Sequence, residues 1–385
     1  MALQSGRSGA RPVSLMIKPV SGACSMRCRY CFYTDVMARR DTAVYPPMNT
    51  DMLESVVRRA FQYADGPVSF AFQGGEPTLI GLPFFQELVR LERSYNVRGL
   101  PVRNAVQTNG YELSDEMISF FAREGFLLGL SMDGTEEVHD AFRVDPAGEP
   151  TFRRVLKTAE QLKSAGVEFN VLCVVTDLAA QRPREVFEAL APYGHIQFIP
   201  CLDDLDGAPG PCSLTEAHYL TFLKTTFDLY YKAFMSGRYV SVRNFDNYIG
   251  IILGLPPENC AMNGRCGSYF LIESDGGVYP CDFYVLDEWK LGSICEASVA
   301  RLMASDAMRR FQAQSRVLPE RCAACRWRPL CRGGCRRNRE PFTDGVPADN
   351  RFCESFRMLF EARYDRMKAL AEKIQNEHTN RGKRG

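Results

Sequence analysis

Val13-Ser14-Leu15-Met16-Ile17-Lys18-Pro19-Val20, a run of β-branched and apolar residues, leads into Cys24-Ser25-Met26-Arg27-Cys28-Arg29-Tyr30-Cys31. A strand that delivers three thiols onto one short loop sets the terms for the rest of the chain. In parallel α/β folds the reactive groups stand at the carboxyl ends of strands, so the residues just past each apolar run carry the chemistry. Five more such runs follow, at Val68–Phe72, Val102–Thr108, Phe126–Met132, Val167–Val175 and His195–Pro200. Stretches of helical periodicity lie between them, for example Met52–Tyr63, Phe84–Leu91, Asp115–Arg123, Phe152–Ala165 and Arg184–Leu190. Six strands alternating with helices predict an α/β fold whose parallel sheet is open or rolled into a partial barrel. Thr215–Phe234 reads as a further helix.

Beyond about Gly237 the character changes. Turns are frequent, and nine of the 15 cysteines lie between Cys260 and Cys353. Phe270–Pro280 reads as a hairpin turning through Ser274-Asp275-Gly276-Gly277. A last amphipathic helix starts near Glu354 and carries Phe356, Phe360, Tyr364, Met367 and Ile374 on one face, expected to pack back onto the body. The polar, basic tail Asn376–Gly385 is expected to fray. The expected division is a barrel over residues 12–236 and a cysteine-rich region over 237–375.

The 385 residues are 45% apolar and 24% charged, which excludes disordered and collagen-like classes. Lys plus Arg (47) nearly cancels Asp plus Glu (46), so the formal charge is +1 and no footprint for nucleic acid or an anionic membrane stands out. No run spans a bilayer; Tyr248–Leu255 contains two glycines and stops at Pro256. Met1–Pro12 lacks the apolar core of a signal peptide, so a cytoplasmic location is expected. There thiols stay reduced, and 15 cysteines against 4 histidines point to metal or redox chemistry rather than disulfides.

Three thiolates on one loop can hold three irons of a [4Fe–4S] cube and leave the fourth iron open, as a catalytic cluster requires. Zinc held by three cysteines is the alternative, but the loop through Arg40 offers no fourth Cys or His. Cys260, Cys266, Cys281, Cys322, Cys325, Cys331, Cys335 and Cys353 supply two further four-cysteine sites, for iron–sulfur clusters or structural zinc. Spacing does not separate those two readings.

Cys24-x3-Cys28-x2-Cys31, with Tyr30 before the last thiol, resembles the signature of the radical S-adenosylmethionine (SAM) superfamily. Gln73-Gly74-Gly75-Glu76-Pro77 is similar to the motif that binds the SAM amino group there. Glycine lets backbone approach a ligand closely, and carbonyls or Glu76 can accept from an ammonium. Gln107-Thr108-Asn109-Gly110 and Ser131-Met132-Asp133-Gly134 end the third and fourth strands. The resemblance implies ribose and carboxylate contacts from Ser131 and Arg143, an adenine contact from Leu202 and a SAM contact from Tyr30. Gln73, Tyr33 and Gln107 stand where they can face substrate or SAM.

The later cysteines resemble the SPASM domain, which implies Cys260, Cys266, Cys281 and Cys335 on one auxiliary cluster and Cys322, Cys325, Cys331 and Cys353 on another. That makes three [4Fe–4S] clusters on eleven of 15 cysteines. Cys173 fits plain burial in its apolar strand, and Cys201, Cys212 and Cys295 have no assigned role.

From about residue 12 to about 375 the chain resembles the anaerobic sulfatase-maturating enzymes. The matching strings include Ser69-Phe70-Ala71-Phe72-Gln73-Gly74-Gly75-Glu76-Pro77-Thr78, Val278-Tyr279-Pro280-Cys281-Asp282-Phe283 and Arg332-Gly333-Gly334-Cys335. The resemblance implies oxidation of a Cys or Ser in a Cys/Ser-x-Pro/Ala-x-Arg motif of an unfolded sulfatase polypeptide to Cα-formylglycine. A deoxyadenosyl radical removes a β-hydrogen, Asp282 takes the thiol or hydroxyl proton, and an auxiliary cluster accepts an electron. A flavodoxin or ferredoxin is the implied electron donor. Alternatives are a maturase forming thioethers, epimers or crosslinks on a ribosomal peptide, a metal-stabilised binding module, and a thiol–disulfide enzyme using Cys322 and Cys325.

Overall fold

A computed structural model describes residues 10–210 and 212–382. The readings of residues 1–9 and of the last three lie outside it. Ten strands matter for the site: β1 (Val13–Ile17), β2 (Val68–Phe72), β3 (Val102–Thr108), β4 (Leu127–Ser131), β5 (Phe169–Val175), β6 (His195–Pro200), β7 (Ser241–Val242), β8 (Phe270–Ile272), β9 (Gly277–Tyr279) and β10 (Gly292–Ser293). The chain forms two compact units. The first takes in residues up to Ser131, Val144–Phe169 and Gly267–Ala313; the second takes in Met132–Arg143, Asn170–Cys266 and the residues from Gln314 onward.

In the first unit the strand order is β10-β9-β8-β1-β2-β3-β4, with β1 to β4 parallel. Val68, Phe70 and Phe72 alternate along β2 and are buried, because a half-buried strand puts every second side chain on its apolar face. They meet a phenylalanine cluster: Phe72 on Phe85 at 5.3 Å, Phe85 on Phe121 at 5.1 Å and Phe121 on Phe126 at 5.0 Å. Pairs of this kind contribute about 0.5–1.5 kcal/mol each beyond the area they bury. The flanking helices start on side-chain caps, Asn49 accepting from Met52 N and Ser114 from Met117 N. Gly125 then ends the Asp115–Glu124 helix in the left-handed conformation that glycine adopts without strain.

The expected hairpin forms, with Leu271 opposite Tyr279 and Ile272 opposite Val278. Its pairing partner was not visible in the sequence. β8 runs parallel to β1, with Leu15 beside Phe270 and Ile17 beside Ile272, so the cysteine-rich region extends the sheet on the β1 edge.

In the second unit β5, β6 and β7 are parallel, with Val171 beside Ile196 and His195 beside Ser241. Helix Cys353–Gly382 packs against helix Glu216–Met235, as expected, through Tyr219 on Phe352 and an Arg363 fork on Asp228 at 2.7 and 2.8 Å. It continues to Gly382 instead of fraying at Asn376, since its last turns hold helix-tolerant Gln, Glu and Asn residues and Thr379 Oγ1 donates to Gln375 O. Two helices fall where helical signal looked sparse, Arg243–Ile252 and Asp306–Arg316. Phe245, Tyr248, Ile249 and Ile252 do repeat at helical spacing in the first, but Gly250 and Gly254 gave that stretch the look of turns. Among the described residues, no helix is long and apolar enough to cross a membrane.

Candidate active site

The cysteine loop leaves β1 and closes on Cys31, which caps helix Phe32–Ala38. Cys24, Cys28 and Cys31 are all part-exposed and unpaired by disulfides. Met26 N donates to Cys24 Sγ at 3.4 Å and Asn109 Nδ2 at 3.6 Å. Burial nonetheless raises the Cys24 thiol, and the Glu76 and Cys31 charges add to that.

The loop after β2 is stitched to this one by backbone. Gly75 N donates to Ser21 O at 3.0 Å and Glu76 N to Ala23 O at 2.7 Å. A Cβ on Gly75 would lie 1.9 Å from Ala23 O, so only glycine fits. Gly74 has φ +129°, a conformation L side chains rarely adopt. Glu76 is 1% exposed. Its Oε1 accepts from Thr78 N (3.1 Å), Thr78 Oγ1 (2.7 Å) and Thr108 Oγ1 (2.9 Å), and its Oε2 from Asn109 N (2.7 Å). Burial raises this carboxyl while those donors oppose the rise.

Of the other expected cofactor contacts, Ser131 ends β4, accepting from Gln107 Nε2 at 3.0 Å. Arg143, in the second unit, is buried with Nε on Asp133 Oδ2 at 2.9 Å; Asp133 Oδ1 accepts from Val174 N. Leu202 and Tyr30 are half-buried.

Asp282 follows Cys281 at the end of the hairpin and is 3% exposed. Tyr269 OH donates to Oδ1 at 2.7 Å and Gln73 Nε2 to Oδ2 at 3.0 Å. Gln73 Nε2 also donates to Tyr33 OH at 3.2 Å, and Tyr269 OH sits 3.4 Å from Cys281 Sγ. Burial pushes the Asp282 carboxyl up; Tyr269, Cys281 and the Lys18 charge pull against it. Behind it lies a buried charge cluster that sequence reasoning missed. Glu273 Oε2 takes Lys18 Nζ at 3.1 Å and Arg40 NH1 at 2.8 Å, and Lys18 Nζ lies 4.6 Å from the Tyr33 ring centroid. Its signal was a lone charge at the end of each of two apolar strands, Lys18 after Ile17 and Glu273 after Ile272.

In the second unit Cys322, Cys325, Cys331 and Cys353 gather, their charges acting on one another; burial first and then these neighbours push the Cys331 thiol up to about 11. Arg321 NH2 donates to Cys353 Sγ at 3.0 Å. Cys260, Cys266 and Cys335 belong to the second unit and Cys281 to the first. Among the described residues no three His, Cys, Asp or Glu side chains are spaced to hold a single ion. A cube takes one thiolate per iron, a wider spread of ligands. The three-thiol loop and the side-chain-free cradle at Gly75 suit a cluster that carries a small ligand on its open iron.

Cys173 is buried inside β5 and its thiol is raised by burial, consistent with packing alone. Cys201 and Cys212 are buried as well, and Cys295 is exposed.

Residues 19–190 match the Radical SAM superfamily, and residues 260–326 match an iron-sulfur cluster-binding domain. A cysteine-type anaerobic sulfatase-maturating enzyme of Clostridium novyi is 40% identical, covering 94% of this chain and 98% of the relative. A serine-type anaerobic sulfatase-maturating enzyme of Bacteroides thetaiotaomicron is 29% identical, covering 96% of this chain and 93% of the relative. The solved structure of native anSMEcpe with bound AdoMet and Cp18Cys peptide superposes with a TM-score of 0.90 at 41% identity, covering 94% of this chain and 100% of that one. Similarity of that extent, on top of a three-thiol loop and an auxiliary cysteine domain, means that the chain belongs to the anaerobic sulfatase-maturating enzymes of the radical SAM superfamily.

Proposed function

We propose that this enzyme oxidises a cysteine in a Cys-x-Pro/Ala-x-Arg motif of an unfolded sulfatase polypeptide to Cα-formylglycine. Cysteine is preferred over serine because the cysteine-type relatives are 40–42% identical and the serine-type ones 28–29% or so over comparable lengths. When bound, SAM on the Cys24, Cys28 and Cys31 cluster supplies the one-electron oxidant for the β-hydrogen, and two auxiliary [4Fe–4S] clusters supply the electron acceptor.

The chain's own residues do the rest. Gly74 and Gly75 leave the cradle open for the SAM amino group, and Glu76, with four donors on its oxygens, holds that turn in shape. Ser131 and Arg143 bind ribose and carboxylate, Leu202 the adenine, and Tyr30 packs over cluster or SAM. Cys260, Cys266, Cys281 and Cys335 hold one auxiliary cluster and Cys322, Cys325, Cys331 and Cys353 the other. Residues 12–236 form the catalytic barrel and 237–375 the auxiliary-cluster domain. The enzyme works in the cytoplasm, supplied with electrons by a flavodoxin or ferredoxin.

The observation that carries the reading is Asp282, a buried carboxylate oriented by Tyr269 and Gln73 and adjoining Cys281. A base oriented beside an electron acceptor is what oxidation of a thiol-bearing carbon demands, because losing the proton makes the carbon radical a stronger reductant. The test is anaerobic turnover of a Cys-x-Pro-x-Arg peptide with SAM and a reductant, read by mass spectrometry. Formylglycine with deoxyadenosine is the expected result. Deoxyadenosine without peptide oxidation would move the substrate to another ribosomal peptide, and neither product would refute the enzyme reading.

A further inference from the structure

The second unit holds a cleft of about 560 Å³ lined by Arg316, Arg326, Arg328 and Arg332, with Cys325 in its wall. No Asp or Glu lines it. Arg316, Arg326 and Arg328 are exposed, and Arg332 is half-buried. Among the described residues none of the four forms an ion pair: Arg326 lies over the Trp327 ring at 4.6 Å, and Arg332 donates to the carbonyls of Pro329 (3.1 Å) and Met262 (3.3 Å). Other arginines of the same unit are matched. Arg321 meets Asp349 and Glu354, and Arg363 and Arg366 meet Asp228. In a chain of formal charge +1, four unmatched cations in one cleft are a local concentration rather than a general excess.

We propose that this cleft docks a small acidic one-electron carrier protein, which exchanges electrons with the auxiliary cluster held by Cys322, Cys325, Cys331 and Cys353. The inference rests on the reading of those four thiols as one cluster's ligands. Two requirements of electron exchange meet here. Complementary charge steers a carrier into transient contact and fixes its orientation without tight binding. Cys325, in the cleft wall, brings a ligand of the cluster to the contact surface, which shortens the path an electron must cross. The transfer moves one electron from the reduced cluster to the carrier's oxidised flavin or iron–sulfur centre; no bond forms or breaks.

The experiment uses the full chain with its clusters reconstituted anaerobically and an acidic flavodoxin as the probe. Binding and the rate of flavin reduction by pre-reduced enzyme are measured at low and raised salt. The expectation is binding that weakens with salt, and an Arg326→Glu/Arg328→Glu variant weakened about tenfold or more in both readouts with iron content intact. Arg238→Glu, an exposed arginine outside the cleft, should change neither. Unchanged binding in the double variant overturns the proposal, as does complete displacement of flavodoxin by inorganic phosphate at matched ionic strength, which would make the cleft a small-anion site. Iron analysis separates the underlying reading: Cys322→Ala that keeps the full iron content would sink the cluster assignment and with it the electron route, whatever the binding data show.

Discussion

Replacing Asp282 by asparagine removes a proton acceptor while leaving a way to keep every hydrogen bond. The asparagine oxygen can take the Tyr269 hydroxyl, which now sits 2.7 Å from Oδ1. Its NH2 then faces Gln73 Nε2, which is 3.0 Å from Oδ2 and also bonds Tyr33 OH at 3.2 Å. A single flip of the Gln73 amide presents Oε1 instead, able to accept from both the new NH2 and the Tyr33 hydroxyl. Stability should therefore change by less than about 1 kcal/mol. Catalysis should not be spared, because an amide does not take a thiol proton. Loss of a positioned general base lowers the rate by about 10²–10⁴-fold, or roughly 3–5 kcal/mol at 1.36 kcal/mol per decade. The assay quantifies deoxyadenosine and formylglycine separately in anaerobic turnovers, beside a thermal melt and an iron determination. Deoxyadenosine should persist while formylglycine collapses, with melting temperature and iron unchanged. Formylglycine formed by Asp282→Asn at the wild-type rate would refute the assignment of Asp282 as the base.

Gly75→Ala drives a Cβ to within 1.9 Å of Ala23 O, with only backbone there to give way, and should cost about 2–4 kcal/mol through overpacking and the loss of the bonds tying the two loops; iron loading and SAM affinity, measured by equilibrium dialysis, should both fall. Glu273→Gln strands Lys18 and Arg40 without a counter-charge and should cost about 3–5 kcal/mol, whereas Lys18→Met leaves Glu273 paired with Arg40 and should cost less in urea denaturation; the reverse order would show that Glu273 is not the hub. Glu92, raised by burial from 4.5 to about 7, holds its proton longer in the folded state, consistent with an Oε1 that has no partner. Its contribution is complete below pH 4.5 and is lost as pH rises through about 7, so stability should fall over that window by up to about 3 kcal/mol more than in Glu92→Gln, read from melts at each pH.

The strands were legible because alternation and β-branching are local: Val68–Phe72, Val102–Thr108 and His195–Pro200 appear in the structure with the limits the sequence predicts. The cysteine loop was legible for the same reason, its chemistry being written in eight consecutive residues. The surroundings of Asp282 were not, since Lys18, Tyr33, Gln73 and Tyr269 come from four separate segments. What joins them is a pairing between three-residue β8 and β1, and no local pattern fixes the partner of so short a strand. Once Ile17 stands beside Ile272 the consequence is forced: the next residue on each strand, Lys18 and Glu273, falls on the same rung, and Lys18 N donates to Ile272 O at 2.9 Å. Either charge buried alone would be costly, and together they compensate. A lysine closing one apolar strand and a glutamate closing another are thus two halves of one long-range statement. The register makes the ion pair possible, and the ion pair penalises any register that would leave either charge in the core without its partner.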